Sequence, residues 1–367
     1  MTRPRIAIAH DYLTQRGGAE RVVLSLLEAF PDAPVYTTLY APERTFPEFR
    51  DAHIITSGLN RIRAFRNDHR RALPFLAAAA DELRIPADIV VASSTGWAHG
   101  FPTRGRKLVY CHSPARYLYL TEEYLGTPAH TDPVGLGLLA LRPGLIRWDR
   151  RAAGTAERYL CNSTVVRERI RQVYGITAAV VPPPPGVTAD QPTAPVPALA
   201  DWAEEGWFTV VSRLLPYKNV HHVVEAFRDL PDKLVIVGSG PLRDELVASA
   251  PANVRLLEGL TDAQLRWIYT GSRSLIAASH EDFGLTPVEA GLFGKPCLAL
   301  RAGGYLDTIA EGVNGIFFDS PNPGAITEGV RRSARRTWST EAIRAHADQF
   351  SSARFRARLQ SEVAALV

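Results

Sequence analysis

Pro182-Pro183-Pro184-Pro185-Gly186 interrupts the chain near its midpoint, and the Pro/Ala-rich stretch up to Pro197 prolongs the break. Four consecutive prolines fix φ and offer no backbone N–H, so they continue neither a helix nor a central strand. They read as a stiff, extended connector. On both sides of it the sequence alternates short apolar runs with helical patterns, the signature of a parallel sheet wrapped by helices. With 367 residues to divide, the connector splits the chain into two α/β domains.

Before the connector, strands are expected at Arg5–His10, Val35–Tyr40, Ile89–Ser93, Leu108–His112 and Tyr159–Asn162. A helix over Glu20–Phe30 follows from Val22, Val23, Leu26, Leu27 and Phe30 at helical spacing. Beyond the connector, strands are expected at Phe208–Ser212, Lys233–Gly238, Val254–Leu257, Ser274–Ala278 and Pro296–Leu300. The helices between them are Val220–Arg228, Pro241–Ala248, Asp262–Tyr269 and Thr286–Leu292. The expected architecture is two Rossmann-like domains facing a central cleft, with ligands beyond the carboxyl ends of the strands. The domains are placed at 1–185 and 186–345, and 346–367 forms an amphipathic C-terminal helix that packs back toward the first.

Composition narrows the functional classes. A hydrophobic content of 46% with 22% charged residues is that of a soluble globular enzyme, not a disordered or fibrous chain. The formal net charge is +4, and no stripe interleaves basic and aromatic residues, so nucleic acid is not an expected partner. Cys111, Cys161 and Cys297 lie far apart in apolar runs and read as buried thiols of a reducing compartment. The first residues run into a strand without an apolar leader, so the expectation is a cytoplasmic protein, peripheral on the inner membrane face.

Four segments carry candidate chemistry. In Ser279-His-Glu-Asp-Phe-Gly-Leu-Thr-Pro-Val-Glu289 a strand ends in a glycine-containing turn, and a helix opens with Thr286 as N-cap and Pro287 as first helical residue. Such a terminus presents backbone N–H groups to phosphate or sugar oxygens. Glu281 lies in the turn, and Glu289 lies in the helix beside Ala290, Gly291 and Leu292, where a carboxylate needs hydrogen-bond donors such as a ribose diol. Taken locally, both are equally well ordinary cap and surface acids. Arg213 and Lys218 project from the loop after the strand ending at Ser212 and suit a leaving pyrophosphate. Lys218 is one of only four lysines, with Lys107, Lys233 and Lys295. Gly17 and Gly18 sit at the first β–α turn, but not in a G-x-G-x-x-G or P-loop pattern, which disfavours a nicotinamide cofactor or ATP. His112 and Arg116 follow another strand end in Tyr110-Cys-His-Ser-Pro-Ala-Arg-Tyr117. No D-x-D pair occurs, and no histidine or cysteine cluster has metal-ligand spacing, so no metal site is expected.

In this order, with the connector between them, the four segments closely resemble glycosyltransferase family 4, whose E-x7-E hallmark is matched by Glu281 and Glu289. The resemblance implies the GT-B fold and a retaining, metal-independent glycosyltransferase that binds a nucleotide-sugar donor and no tightly held cofactor. It implies that Arg213 and Lys218 hold the diphosphate and that Glu289 holds the ribose. Glu281 and the backbone of Phe283, Gly284 and Leu285 then hold the donor sugar, Gly17 and Gly18 close over the phosphates, and His112 contacts the sugar near its reacting carbon. The catalytic set is therefore His112, Glu281, Arg213 and Lys218. The resemblance also implies that retention proceeds by same-face attack without a protein nucleophile, with the leaving phosphate as base.

Tyr110–Tyr117, Glu281–Glu289 and Gly303-Gly-Tyr-Leu-Asp-Thr308 look like the O-antigen and exopolysaccharide mannosyltransferase branch, which implies GDP-mannose as donor. Ala115 and the long connector depart from that pattern. The acceptor would be a glycan or lipid-linked glycan. The basic, partly apolar run Arg61-Ile-Arg-Ala-Phe-Arg-Asn-Asp-His-Arg-Arg71 offers weak peripheral contact with anionic lipid. A donor such as UDP-glucose or a deoxysugar nucleotide, a phosphorylase or epimerase on the same fold, and a non-catalytic sugar-nucleotide-binding protein are the competing readings.

Overall fold

The computed structural model of the chain describes residues 4–122, 130 and 133–367. It separates into two compact units, one running to Pro184 and completed by Ser352–Val367, the other spanning Pro185–Ser351.

The first unit is built on a parallel sheet of seven strands: β1 (Ile6–His10), β2 (Val35–Thr37), β3 (Ile54–Thr56), β4 (Ile89–Ser94), β5 (Arg106–Cys111), β6 (Arg158–Cys161) and β7 (Ala179–Val180). Their order is β3-β2-β1-β4-β5-β6-β7. The central strands are buried on both faces, so they read as continuous apolar runs. Ala7, Ala9, Val90, Ala92, Val109 and Cys111 face one side with Leu76 and Trp148. Ile8, Ile89, Val91, Leu108, Tyr110 and Leu160 face the other, where helix Gly18–Ala29 contributes Val22, Val23 and Leu26.

That second face also receives Phe355, Leu359 and Val363 from helix Ser352–Ala364. Full burial of side chains of this kind contributes about 1.5–3 kcal/mol each. Arg106 donates to the Leu366 carbonyl at 2.5 Å, and Gln360 donates to that of Ala29 at 3.2 Å. The chain re-enters this unit at Ser352 rather than at 346, because helix Thr340–Asp348 belongs to the second unit. Ile343 and Ala347 of that helix pack over Gly291, where an added Cβ would lie 3.0 Å from the Ala347 methyl.

The second unit holds a six-stranded parallel sheet: β8 (Trp207–Val211), β9 (Leu234–Val237), β10 (Val254–Leu257), β11 (Ser272–Ala277), β12 (Cys297–Leu300) and β13 (Gly315–Phe318), in the order β10-β9-β8-β11-β12-β13. Phe208, Val210, Leu234, Ile236, Ile276, Leu298, Ile316 and Phe318 form one core face. The Pro/Ala stretch after Pro185 is tied down on helix Asp262–Gly271: Ala194 donates to the Ala263 carbonyl at 3.0 Å, and Arg266 donates to that of Pro192 at 2.8 Å.

Each strand order reverses once, between β1 and β4 in the first sheet and between β8 and β11 in the second. Loops leaving adjacent strands in opposite directions open a crevice there, beyond the carboxyl ends of the strands. Among the described residues no helix is long and apolar enough to cross a membrane.

Candidate functional site

In the second unit the reversal point gathers the loops after β8 and β11, and Arg213, Lys218, Glu281, Phe283 and Gly284, all singled out in the sequence, stand on them. After β8 the chain passes Arg213 and makes a tight turn over Pro216–Lys218. Asn219 ends the turn in the left-handed region at φ 56°, a conformation asparagine tolerates. Its side-chain amide donates to the Ala278 carbonyl at 2.9 Å, pinning this loop to the end of β11. Lys218 is thereby turned inward, only 9% exposed, and its Nζ donates to Glu281 Oε1. The same oxygen accepts from Ser279 Oγ at 2.6 Å, and Ser279 Oγ in turn meets the Tyr305 hydroxyl at 3.1 Å. Arg213 stays exposed, 3.2 Å from the Tyr217 hydroxyl, so one cation is paired and buried while the other faces solvent.

The helix after β11 begins two residues earlier than its sequence indicates. Gly284, at φ +88°, is the N-cap and Leu285 the first helical residue, so Thr286 does not cap it and Pro287 falls third. A Cβ on Gly284 would stand 2.5 Å from the Tyr305 ring, so tertiary packing decides the start over local capping preference. Pro287 still lies in the first turn, where the missing N–H has no helical partner to lose. The loop is clasped from outside by Gly303 and Gly304: Gly304 donates to the Glu281 carbonyl at 2.8 Å, and a Cβ at 304 would overlap the Phe283 backbone. Phe283 anchors it by packing against Phe350.

Glu289 lies within this helix, 8% exposed. Its oxygens already have protein donors, which sequence reasoning did not foresee. Gly186 N–H donates to Oε1 at 3.0 Å, and the buried Tyr269 hydroxyl donates to Oε2 at 2.9 Å. Burial and the adjacent carboxylate push the Tyr269 phenol well above its ordinary pKa, so it stays a donor. A carboxylate oxygen can accept more than one hydrogen bond, and these two donors fix the orientation of the group.

In the first unit, Gly17 caps helix Gly18–Ala29 from an extended backbone, φ −136°, without a side-chain cap. A Cβ there would lie 2.6 Å from Glu20 Oε2, so a side chain at 17 would displace the buried carboxylate beneath it, while its φ is open to any residue. Gly18 is exposed. His112 follows β5, with Nε2 2.8 Å from Ser93 Oγ and its carbonyl accepting from Asn162 at 3.1 Å. At the end of β1, Asp11 is buried and accepts from the backbone N–H groups of Trp97 at 3.0 Å and Ala98 at 2.6 Å, fixing the turn after β4.

Comparison with known proteins adds two families. The model for Glycosyltransferase Family 4 matches residues 16–191, and that for Glycosyl transferases group 1 matches residues 202–346. Glycogen synthase 1 of Bradyrhizobium diazoefficiens is 31% identical over 135 residues, which cover 34% of this chain and 29% of that protein. D-rhamnosyltransferase WbpZ of Pseudomonas aeruginosa is 27% identical over 195 residues, 49% of each chain. The chain thus spans about half or less of the length of these curated relatives. Among solved structures, Anabaena HepE in complex with UDP and glucose superposes with a TM-score of 0.71 at 16% identity, covering 98% of this chain and 100% of that one. That likeness and the two doubly wound sheets make the fold GT-B.

Proposed function

From a chain that carries a Glycosyltransferase Family 4 region followed by a Glycosyl transferases group 1 region, we propose a retaining glycosyltransferase that draws its sugar from a nucleotide-sugar donor. The observation that supports it best is the Lys218–Glu281 pair joining the loops after β8 and β11 at their reversal point, with Arg213 on the first loop and Glu289 on the helix that follows the second, where an open parallel sheet receives its ligand.

In this reading Arg213 and Lys218 take the diphosphate. Negative charge grows on it as the bond to the anomeric carbon breaks, and fixed cations stabilise that charge more in the transition state than in the ground state. They serve in place of a metal. Glu289, already oriented by Tyr269 and Gly186, accepts from the ribose hydroxyls. Glu281 and the backbone of Phe283, Gly284 and Leu285 hold the sugar. Gly17, Gly18 and His112 are assigned to the phosphates and the donor sugar on the family resemblance alone.

The proposed donor is GDP-mannose, on the likeness of Tyr110–Tyr117, Glu281–Glu289 and Gly303–Thr308 to the polysaccharide mannosyltransferases. UDP-glucose is the second reading, favoured by the structural likeness to a protein solved with UDP and glucose. A thermal-shift panel of GDP-mannose, UDP-glucose, dTDP-rhamnose and ADP-glucose separates them. A rise in Tm with GDP-mannose alone is the expected result. A rise with UDP-glucose alone replaces the mannosyl reading and leaves the transferase, and no rise with any of the four removes support from both.

The proposed acceptor is a glycan or lipid-linked glycan of cell-surface polysaccharide, met at the cytoplasmic face of the membrane. Residues 58–72 form a string of short helical turns carrying Arg61, Arg63, Arg66, Arg70 and Arg71, with Ile62 45% exposed and Phe75 52% exposed close by. Cations beside exposed apolar groups suit weak, salt-sensitive contact with anionic lipid. Co-sedimentation with vesicles containing phosphatidylserine, lost at high salt, is the expected result. Equal binding to purely zwitterionic vesicles contradicts it.

A further inference from the structure

The reversal point of the first sheet contains a line of buried polar groups with no assigned role. His10 ends β1 and stands in register with Ser93 of β4. His10 Nδ1 lies 3.1 Å from the Ser93 carbonyl oxygen and 3.1 Å from Ser93 Oγ. Ser93 Oγ lies 2.8 Å from His112 Nε2. On the far side of the His10 ring, Nε2 is 3.8 Å from Glu20 Oε1, which also accepts from Gln15 at 3.1 Å. His10 and Glu20 are 1% exposed and Ser93 is fully buried, so water does not decide which atom holds which hydrogen.

The acceptors decide it. A carbonyl oxygen only accepts, so His10 Nδ1 carries a hydrogen. On the other side of the ring, Nε2 lies 3.8 Å from Glu20 Oε1, an ion-pair separation beyond hydrogen-bond reach, so only the Nδ1 hydrogen is fixed by geometry. Burial pulls the His10 pKa down, but the Glu20 carboxylate, helped by Asp11, more than offsets this and leaves it raised. With Nδ1 already a donor, the Ser93 hydroxyl hydrogen cannot point toward it and turns to His112 Nε2. That nitrogen therefore accepts, and a neutral His112 carries its hydrogen on Nδ1. This last step needs only the Nδ1 hydrogen of His10, whatever the ring's charge.

We infer that Glu20, His10 and Ser93 are positioning residues that hold His112 as its neutral Nδ1–H tautomer, so that His112 acts on the donor sugar as a hydrogen-bond donor and not as a general base. The inference rests on the reading of His112 as a donor-sugar contact. It also gives Gly17 a purpose: a side chain there would collide with Glu20 Oε2 and displace the carboxylate that anchors the line. Orienting groups behind a functional histidine act by fixing its tautomer and ring angle.

The test is a two-bond 1H–15N correlation spectrum of the histidine rings in the full chain, with His112 identified by its loss in His112→Asn. In the wild type, His112 Nε2 is expected at an acceptor-type shift and Nδ1 at a protonated one. In Ser93→Ala the two nitrogens move toward each other as the tautomers mix, and Ser93→Thr, which keeps the hydroxyl, restores the original pattern. Release of nucleoside diphosphate from GDP-mannose and from UDP-glucose is followed in parallel. In Ser93→Ala and Glu20→Gln, kcat falls about 10- to 100-fold for whichever donor the wild type uses, while KM stays nearly constant. A protonated Nε2 in the wild type, or a pattern unmoved by Ser93→Ala, overturns the inference; the first holds even where the alanine variant does not fold. The expected spectra with no turnover of either donor uphold the positioning line and reject the donor reading, and turnover with a protonated Nε2 does the reverse.

Discussion

Replacing Lys218 by alanine lowers sugar transfer by about 10²–10³-fold and also weakens the second unit. The two effects have separate causes and separate remedies. Lys218 is 9% exposed and neutralises Glu281, whose side chain is 24% exposed. Without the lysine, the Glu281 carboxylate keeps Ser279 Oγ as a donor at 2.6 Å but loses its counter-charge in a poorly hydrated place. Leaving such a group under-satisfied costs about 1–3 kcal/mol. The double variant Lys218→Ala/Glu281→Ala removes the stranded charge and recovers most of that stability, yet it recovers none of the activity, because it lacks both the cation proposed to meet the leaving diphosphate and the carboxylate proposed to hold the donor sugar. Urea unfolding and initial transfer rates on the two single variants and the double variant close the cycle. Transfer restored in the double variant would contradict both roles, leaving Lys218 and Glu281 as a structural ion pair.

The second large effect is expected at Gly304. A Cβ at this position overlaps Cα, C and O of Phe283, backbone atoms that cannot swing aside as a flexible side chain can. Gly304→Ala therefore pushes the 281–284 loop outward, breaks the 2.8 Å bond from Gly304 N–H to the Glu281 carbonyl and shifts Glu281 and the Leu285 helix start together. The expected loss is about 3 kcal/mol of stability, with no remaining rise in Tm on adding a nucleotide sugar. Gly259→Ala is the control: its φ is +68°, but nothing lies within 4 Å of the added Cβ. It costs only the left-handed strain, about 1–2 kcal/mol, and keeps the nucleotide response. A Gly304→Ala protein that responds to donor like the wild type would remove the glycine clasp from the account.

The fold was legible where the physics is local. The central strands of both units are buried on two faces and so appear as continuous apolar runs, which marked the cores of β1, β4, β5, β6, β8, β9, β11 and β12; the edge strand β10 shows instead as the short run Val254–Leu257. The expected Val35–Tyr40 strand closes as β2 after Thr37. The edge strands β3 and β7, of 3 and 2 residues, are too short to show a period, and β13 is a four-residue run after Asn314. Helix Pro133–Ala153 carries Pro143, along with Gly137 and Gly144, which hide its helical spacing.

At the site, Glu281, Glu289, Arg213 and Lys218 stood out because residue type and spacing carry their signal. The groups that orient them did not. Tyr269 and Gly186 reach Glu289 from 20 and 103 residues away, and Ser93 lies 83 residues from His10 and 19 from His112. Such partners are set by sheet register and helix packing, which no local window contains. The misplaced Thr286 cap has the same origin, since the Tyr305 ring against Gly284 sets the start of that helix.

The central claim is that a nucleoside diphosphate occupies the β8/β11 reversal point of the second unit. Titration calorimetry of GDP and UDP into the wild type, Arg213→Ala and Glu289→Gln tests it most directly. At least one of the two nucleotides is expected to bind the wild type and to bind each variant at least about tenfold more weakly, a difference of about 1.4 kcal/mol, Arg213→Ala through the diphosphate and Glu289→Gln through the ribose. Equal affinity in all three proteins would contradict it, because the nucleotide would then be held by residues other than these.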